Sequence, residues 1–182
     1  MVKAIPTPLD GVFVIEYEIN EDNRSTFSKI LSNAELESIG ITTPFVETYL
    51  YSNIKRNTIY GIHFQNKPHL QAKIFHCVKG RIKDYTVDLR KASPNYMKWF
   101  GIELSESNRK QLYIPEGFGH LSHALQDDTS ICMSISVPFE REFSRSISYR
   151  DASIALDIPD VDYILSDQDV HAPSLLCCDM DI

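Results

Sequence analysis

Residues 58–90 read TIYGIHFQNKPHLQAKIFHCVKGRIKDYTVDLR. Three apolar, β-branched runs lie in this stretch: TIYGIHFQ (58–65), AKIFHCV (72–78) and RIKDYTVDLR (81–90), split by NKPH (66–69) and KG (79–80). Short runs of this kind bounded by turn residues read as strands. The pattern continues outward on both sides. FVETYLY (45–51) precedes it, and MKWFGIEL (97–104), KQLYIP (110–115), HLSHAL (120–125) and TSICMSISV (129–137) follow, with breaks at ASPN (92–95) and PEGFG (115–119). GVFVIEYEI (11–19) is a further strand. SNAELESIG (32–40) is the one convincing helix, with Ser32 or Asn33 as cap, glutamates in its first turns and Gly40 at its end. Many strands with little helix predict an all-β sandwich or barrel. The more polar residues 140–182 are expected to form a C-terminal packing segment.

Strand side chains alternate between two faces. In TIYGIHFQ, alternation sends Tyr60, Ile62 and Phe64 one way and Gly61, His63 and Gln65 the other. In RIKDYTVDLR it puts Asp84, Thr86 and Asp88 opposite Tyr85, Val87 and Leu89. A polar face of this sort meets either solvent or a ligand-lined barrel interior. Periodicity does not choose between them.

The chain has 182 residues, 43% hydrophobic and 24% charged, the size and composition of one soluble domain. Its formal net charge is -7, without a basic stripe, which argues against a nucleic-acid partner. A nucleotide diphosphate is still open to it, because that needs only a few local cations. No apolar run approaches the roughly 20 residues of a membrane span, and MVKAIPTPLDG lacks a signal-peptide core. The cytoplasm is the expected location, with no membrane partner. Cys77, Cys132, Cys177 and Cys178 form no CxxC pair.

From about residue 10 to residue 175 the chain resembles the deoxythymidine-diphosphate-4-keto-6-deoxyglucose 3,5-epimerase family of cupins. The resemblance rests on GIHFQ (61–65), AKIFHCVKG (72–80), DYTVDLRKASPNYMKW (84–99) and SNRKQLYIPEGFGH (107–120), with a weaker match at LSDQDVHAPSLL (165–176). It implies a single cupin domain over 1–182, a jelly-roll β-barrel with a few short helices. It implies a homodimer that exchanges N-terminal strands, no metal and no cofactor. The implied substrate is a nucleotide-diphosphate-linked 4-keto-6-deoxy sugar, in O-antigen or other surface-polysaccharide biosynthesis. Residue by residue, it makes His63 the general base, Asp169 its carboxylate partner and Lys73 the cation for the enolate oxygen. His120, Asp84 and Gln65 fall on substrate-facing positions, and the loop EDNRSTF supplies Arg24 and Phe27 for the nucleotide.

This chemistry calls for those residue types. A C–H beside a ketone is a very weak acid, so its removal needs a base and a means of holding the resulting oxyanion. Imidazole titrates near neutrality, and a carboxylate on its second nitrogen fixes the tautomer. Only a proton moves, so no redox cofactor is required.

The chain departs from the family pattern at three places. Tyr60 stands where the family has an arginine that meets phosphate, and a phenol does not replace a cationic fork. Met133 stands where the family has the tyrosine that returns a proton from the opposite face. Glu47-Thr48-Tyr49 replaces a polar QDN run, which puts nucleotide and sugar specificity at issue through Glu47 and Tyr49. Either a water or another side chain then has to return the proton, and the candidate side chains are Tyr49, Tyr51 and Tyr60. These changes point to epimerisation at C3 alone rather than at both C3 and C5. The alternative is a catalytically inactive nucleotide-sugar-binding cupin. A metal-dependent cupin is disfavoured, because His63-Phe64-Gln65 lacks a second ligand two residues on, and His120 and His123 are three apart.

Overall fold

The strand-and-turn rhythm is realised as two antiparallel sheets that face each other. A computed structural model describes residues 2–182. Its strands are β1 (Lys3–Pro6), β2 (Phe13–Glu16), β3 (Ile19–Glu21), β4 (Thr26–Ser28), β5 (Glu47–Ile54), β6 (Ile59–Gln65) and β7 (Lys73–Lys79). They continue with β8 (Arg81–Asp88), β9 (Trp99–Ser105), β10 (Gln111–Ile114), β11 (Phe118–Ala124), β12 (Thr129–Ile135) and β13 (Ser144–Ser146). Helix α1 spans Asn33–Ser38, capped by the Ser32 side chain, and α2 spans Asp167–Val170. One sheet runs β1-β2-β10-β7-β12-β5 and the other β13-β6-β11-β8-β9, with β3-β4 as a separate hairpin. This is the expected all-β jelly-roll barrel with short helices. The segment read as one strand over 11–19 divides, because Tyr17 turns toward the cluster around α1 and β3 starts beyond it.

Three apolar clusters hold the layers together. One fills the barrel between the sheets, with Val14, Phe75, Ile82, Leu104, Leu112 and Ile131. A second joins Leu36 of α1 to Ile15, Ile74 and Tyr113 on the outer face of the larger sheet. The third covers the outer face of the smaller sheet, where Ile62, Val87 and Leu121 meet Ile147, Tyr149 and Leu175 of the C-terminal segment. Side chains such as Ile147 and Leu175 are buried there. Each contributes about 1.5–3 kcal/mol, so residues 140–182 are part of the core.

That outer cover decides what the polar face of β8 meets. Tyr85, Val87 and Leu89 enter the outer cluster, so Asp84, Thr86 and Asp88 point into the barrel, all fully buried. Asp88 serves structure. Arg90 grips it with Nε at 2.9 Å and a second nitrogen at 2.7 Å, and Ser93 Oγ adds a bond at 2.6 Å. Burial pushes the Asp88 carboxyl up, but these bonds outweigh it and hold the group below its ordinary value.

In β6 the simple alternation fails. His63 pairs with His120 and Tyr60 with Ser122, so three steps on β6 face two on β11. Such a bulge reverses the side-chain faces beyond it. Ile59 therefore joins the outer cluster, while Tyr60 packs against the barrel cluster and shares a cavity with His63. The assignment of Tyr60 to the face opposite His63 is thus corrected. Gly61 makes the bulge possible: its φ is +119°, and a Cβ there would lie 2.3 Å from the His120 carbonyl oxygen. Gly61→Ala should lower unfolding free energy by about 2 kcal/mol or more, read as a fall in the urea midpoint.

Candidate functional site

The bulge and the pairing of β6 with β11 set the rings of His63 and His120 side by side on one wall of a cavity of about 220 Å3. Lys73, Phe75, Ile131, Met133 and Tyr51 form the facing wall, from β7, β12 and β5.

The second partner of His63 arrives from the far end of the chain. Asp169 Oδ1 lies 2.6 Å from His63 Nε2. Its other oxygen accepts from Ser166 Oγ at 2.9 Å, and Ser166 Oγ in turn accepts from the Asp169 N–H at 3.2 Å. Ser166 is the N-cap of α2, so one turn of helix aims the carboxylate. Asp169 is buried, whereas the His63 ring is 29% exposed and reaches the cavity.

Asp84 anchors the deeper end. It accepts from Ser122 Oγ at 2.6 Å, and His120 Nδ1 stands 3.5 Å from the same carboxylate, beyond good hydrogen-bond geometry. Burial, then the Lys73 ammonium, push the His120 ring down to about 4 against the pull of Asp84, so it is neutral at pH 7. Burial likewise pushes Lys73 down to about 8, with Asp84 opposing. A fall of that size amounts to roughly 3 kcal/mol against the charged form. At pH 7 Lys73 is still mostly an ammonium ion, held in a low-dielectric wall where its field is strong.

The remaining expected residues divide. Tyr60, Gln65 and Met133 line the cavity. The Gln65 amide is occupied, donating to the His69 carbonyl at 2.9 Å and accepting from the Glu140 N–H at 2.7 Å. Glu47 and Tyr49 do not line it; the Tyr49 hydroxyl donates to Glu47 at 2.6 Å on edge strand β5. Arg24 and Phe27 are exposed on the β3–β4 hairpin, where Arg24 pairs with Asp22 at 2.7 Å, and neither meets this cavity. Sequence reading missed Ser122, Ser166, Gln71 and Gln168. Only Ser166 carried a signal, a serine three residues before Asp169 in the spacing of a helix cap. Among the described residues no group of three or more His, Cys, Asp or Glu could hold a metal ion.

A histidine–carboxylate pair and a buried cation in a barrel interior suit removal of a proton beside a carbonyl, and comparison with known proteins puts the chain among nucleotide-sugar epimerases. A family profile described as dTDP-4-dehydrorhamnose 3,5-epimerase matches residues 6–176. The chain is 31% identical to the dTDP-4-dehydrorhamnose 3,5-epimerase of Shigella flexneri, over 98% of each chain. The dTDP-6-deoxy-D-glucose-3,5-epimerase of Legionella pneumophila, solved in complex with dTDP-4-keto-L-rhamnose, superposes with a TM-score of 0.92 at 29% identity, covering 97% of this chain and 94% of that one. A 3'-monoepimerase from Streptomyces bikiniensis, solved with dTDP-quinovose, superposes with a TM-score of 0.86 at 25% identity, covering 94% of this chain and 87% of that one. The chain belongs to the dTDP-4-dehydrorhamnose 3,5-epimerase family.

The folded Lys73 value lies below the unfolded 10.5, so the unfolded chain binds more protons between about pH 8 and 10.5. Stability from this group therefore rises with pH through that window. Lys73→Met should unfold at a urea concentration at least as high as wild type at pH 7, and its margin over wild type should shrink by pH 10.

Proposed function

We propose that the protein epimerises a thymidine-diphosphate-linked 4-keto-6-deoxy sugar next to its C4 ketone, at C3 alone. The observation that carries this reading is the 2.6 Å contact of His63 Nε2 with Asp169 Oδ1 beside a cavity that also holds Lys73. An ionised carboxylate only accepts, so it keeps the proton on Nε2 and leaves the Nδ1 lone pair to take a proton from carbon. As the C–H bond breaks, its electrons move to the C4 oxygen. The Lys73 ammonium stabilises that oxyanion, and neutral His120 is a hydrogen-bond donor beside it.

The Met133 thioether supports restriction to one centre, because it has no proton to return. A structural neighbour described as a 3'-monoepimerase, at 25% identity, is a precedent for single-centre activity on this fold beside the 3,5-epimerases that match at 29% and 31%. The same methionine is what favours the second reading, a nucleotide-sugar binder without turnover. Proton NMR in deuterated water separates the two. The wild type should wash deuterium into C3 and not C5, and His63→Asn should reduce that exchange by about 100- to 10,000-fold while still binding thymidine diphosphate. Label at both centres refutes the single-centre reading, and no label at either leaves the binder.

We also infer that the protein is a cytoplasmic homodimer with exchanged N-terminal strands. β1 is the outermost strand of its sheet and pairs only with β2. Leu50, Cys132, His76 and Gln111 form one row across the outer face of the larger sheet. Leu50 is 65% exposed, while buried His76 Nε2 and Gln111 Oε1 have no hydrogen-bond partner among the described residues. A second copy on this face would cover the leucine and supply polar partners. A dimer also lets Arg24 and Phe27, which stand outside their own chain's cavity, reach a neighbour's. Sedimentation should give twice the chain mass, and Leu50→Glu should shift it toward the single chain.

A further inference from the structure

Inversion at a carbon needs the incoming proton to arrive on the face opposite the one that lost it. His63 lies on β6, in the five-stranded sheet, so the returning proton must come from the six-stranded wall. That wall offers few hydrogens. Phe75, Ile131 and Met133 have none to give, and Gln71 donates its amide to the Val137 carbonyl at 2.7 Å. Lys73 sits at the Asp84 and His120 end, and the epimerase reading above commits its ammonium to the C4 oxygen. Tyr51 is the hydroxyl of that wall which lines the cavity.

We propose that Tyr51 returns the proton to the sugar carbon from the wall facing His63, a role that rests on the epimerase reading above. Its place in the sheet suits the task. Tyr51 pairs with Ile131 on β12, one step of the cavity face from Met133, and its ring packs against the same cluster as Met133. The other tyrosines are excluded by position. Tyr49 spends its hydroxyl on Glu47 outside the cavity. Tyr60 is on the strand of His63, and so on the wall of the base. Its ring lies 5.6 Å from that of Tyr51 at 59° and holds the donor in place. Burial and the neighbouring Tyr60 push the Tyr51 phenol up, so it carries its proton at neutral pH.

The step balances without a co-reactant. His63 removes the C3 proton and the electron pair forms the enolate. The enolate carbon then takes the proton of Tyr51 on the opposite face, the C4 ketone re-forms, and a phenolate is left. The phenolate and the imidazolium return to their starting states by exchange with water.

The test separates exchange from inversion, with dTDP-4-keto-6-deoxyglucose in deuterated water followed by proton NMR. Tyr51→Phe should keep C3 deuterium wash-in within about tenfold of wild type and lose epimer formation by about a hundredfold or more. Tyr60→Phe, which keeps the ring against Tyr51 and removes only its own hydroxyl, should lower epimer formation far less than Tyr51→Phe does. Met133→Tyr added to Tyr51→Phe should restore epimer, because it returns a hydroxyl to the same wall. Epimer formation by Tyr51→Phe within threefold of wild type overturns the proposal. So does loss of epimer in Tyr60→Phe with Tyr51→Phe active, or parallel loss of exchange and epimer in Tyr51→Phe that Met133→Tyr does not reverse. A wild type that washes in no deuterium overturns the epimerase reading as well, whereas full activity of Tyr51→Phe overturns this inference alone.

Discussion

The hydrogen bond between His63 and Asp169 is the contact on which the site and the C-terminal segment both depend. Asp169 is buried, and a buried carboxylate without partners is costly. Its partners come from two places 106 residues apart in one case and three in the other, the His63 ring on the barrel wall and the Ser166 hydroxyl in its own turn. Separating the segment from the barrel would strand that charge. It would also uncover Ile62, Val87 and Leu121, which Ile147 and Leu175 cover. The electrostatics of the site and the outer apolar cluster are therefore one cooperative unit.

The lumen can be polar because the apolar work is divided. A barrel stabilised only from within would have to fill its interior with aliphatic side chains. Here two further clusters lie outside the sheets, one under α1 and one under residues of the C-terminal segment. Their burial offsets the desolvation of Asp84, His120 and Lys73 inside. The ammonium of Lys73 is held at a real disadvantage, the kind of local cost that functional sites carry.

The interior is also asymmetric. Its deep end is ionic, built from Asp84, Ser122, His120 and Lys73. The other end is aromatic and apolar, where Tyr51, Tyr60 and Met133 meet the main barrel cluster. Two departures from the family pattern, Tyr60 and Met133, fall together at this second end. They put a phenol and a thioether where the family has a cation and a phenol, so this end of the cavity lacks that positive charge and carries at Met133 a side chain with no proton to donate. The β6 bulge is what brings Tyr60 to this end, through Gly61 and the register against β11.

The order of turns and apolar runs determined the strands, the single capped helix and the all-β class, because these follow from neighbours along the chain. The type of chemistry was legible too, in a histidine, a lysine and a late aspartate matched to one family's motifs. Only the tertiary structure decided which way the polar face of β8 looks, since Asp84 points inward or outward according to what covers Val87. It alone turned Tyr60 toward His63, because a bulge belongs to a pair of strands and not to either one. It alone left Arg24 and Phe27 outside the cavity, and it supplied the distance and the Ser166 cap for an Asp169–His63 pairing that the family motifs implied. Such placements depend on how distant segments pack across a sheet, and no local pattern of residues encodes that distance.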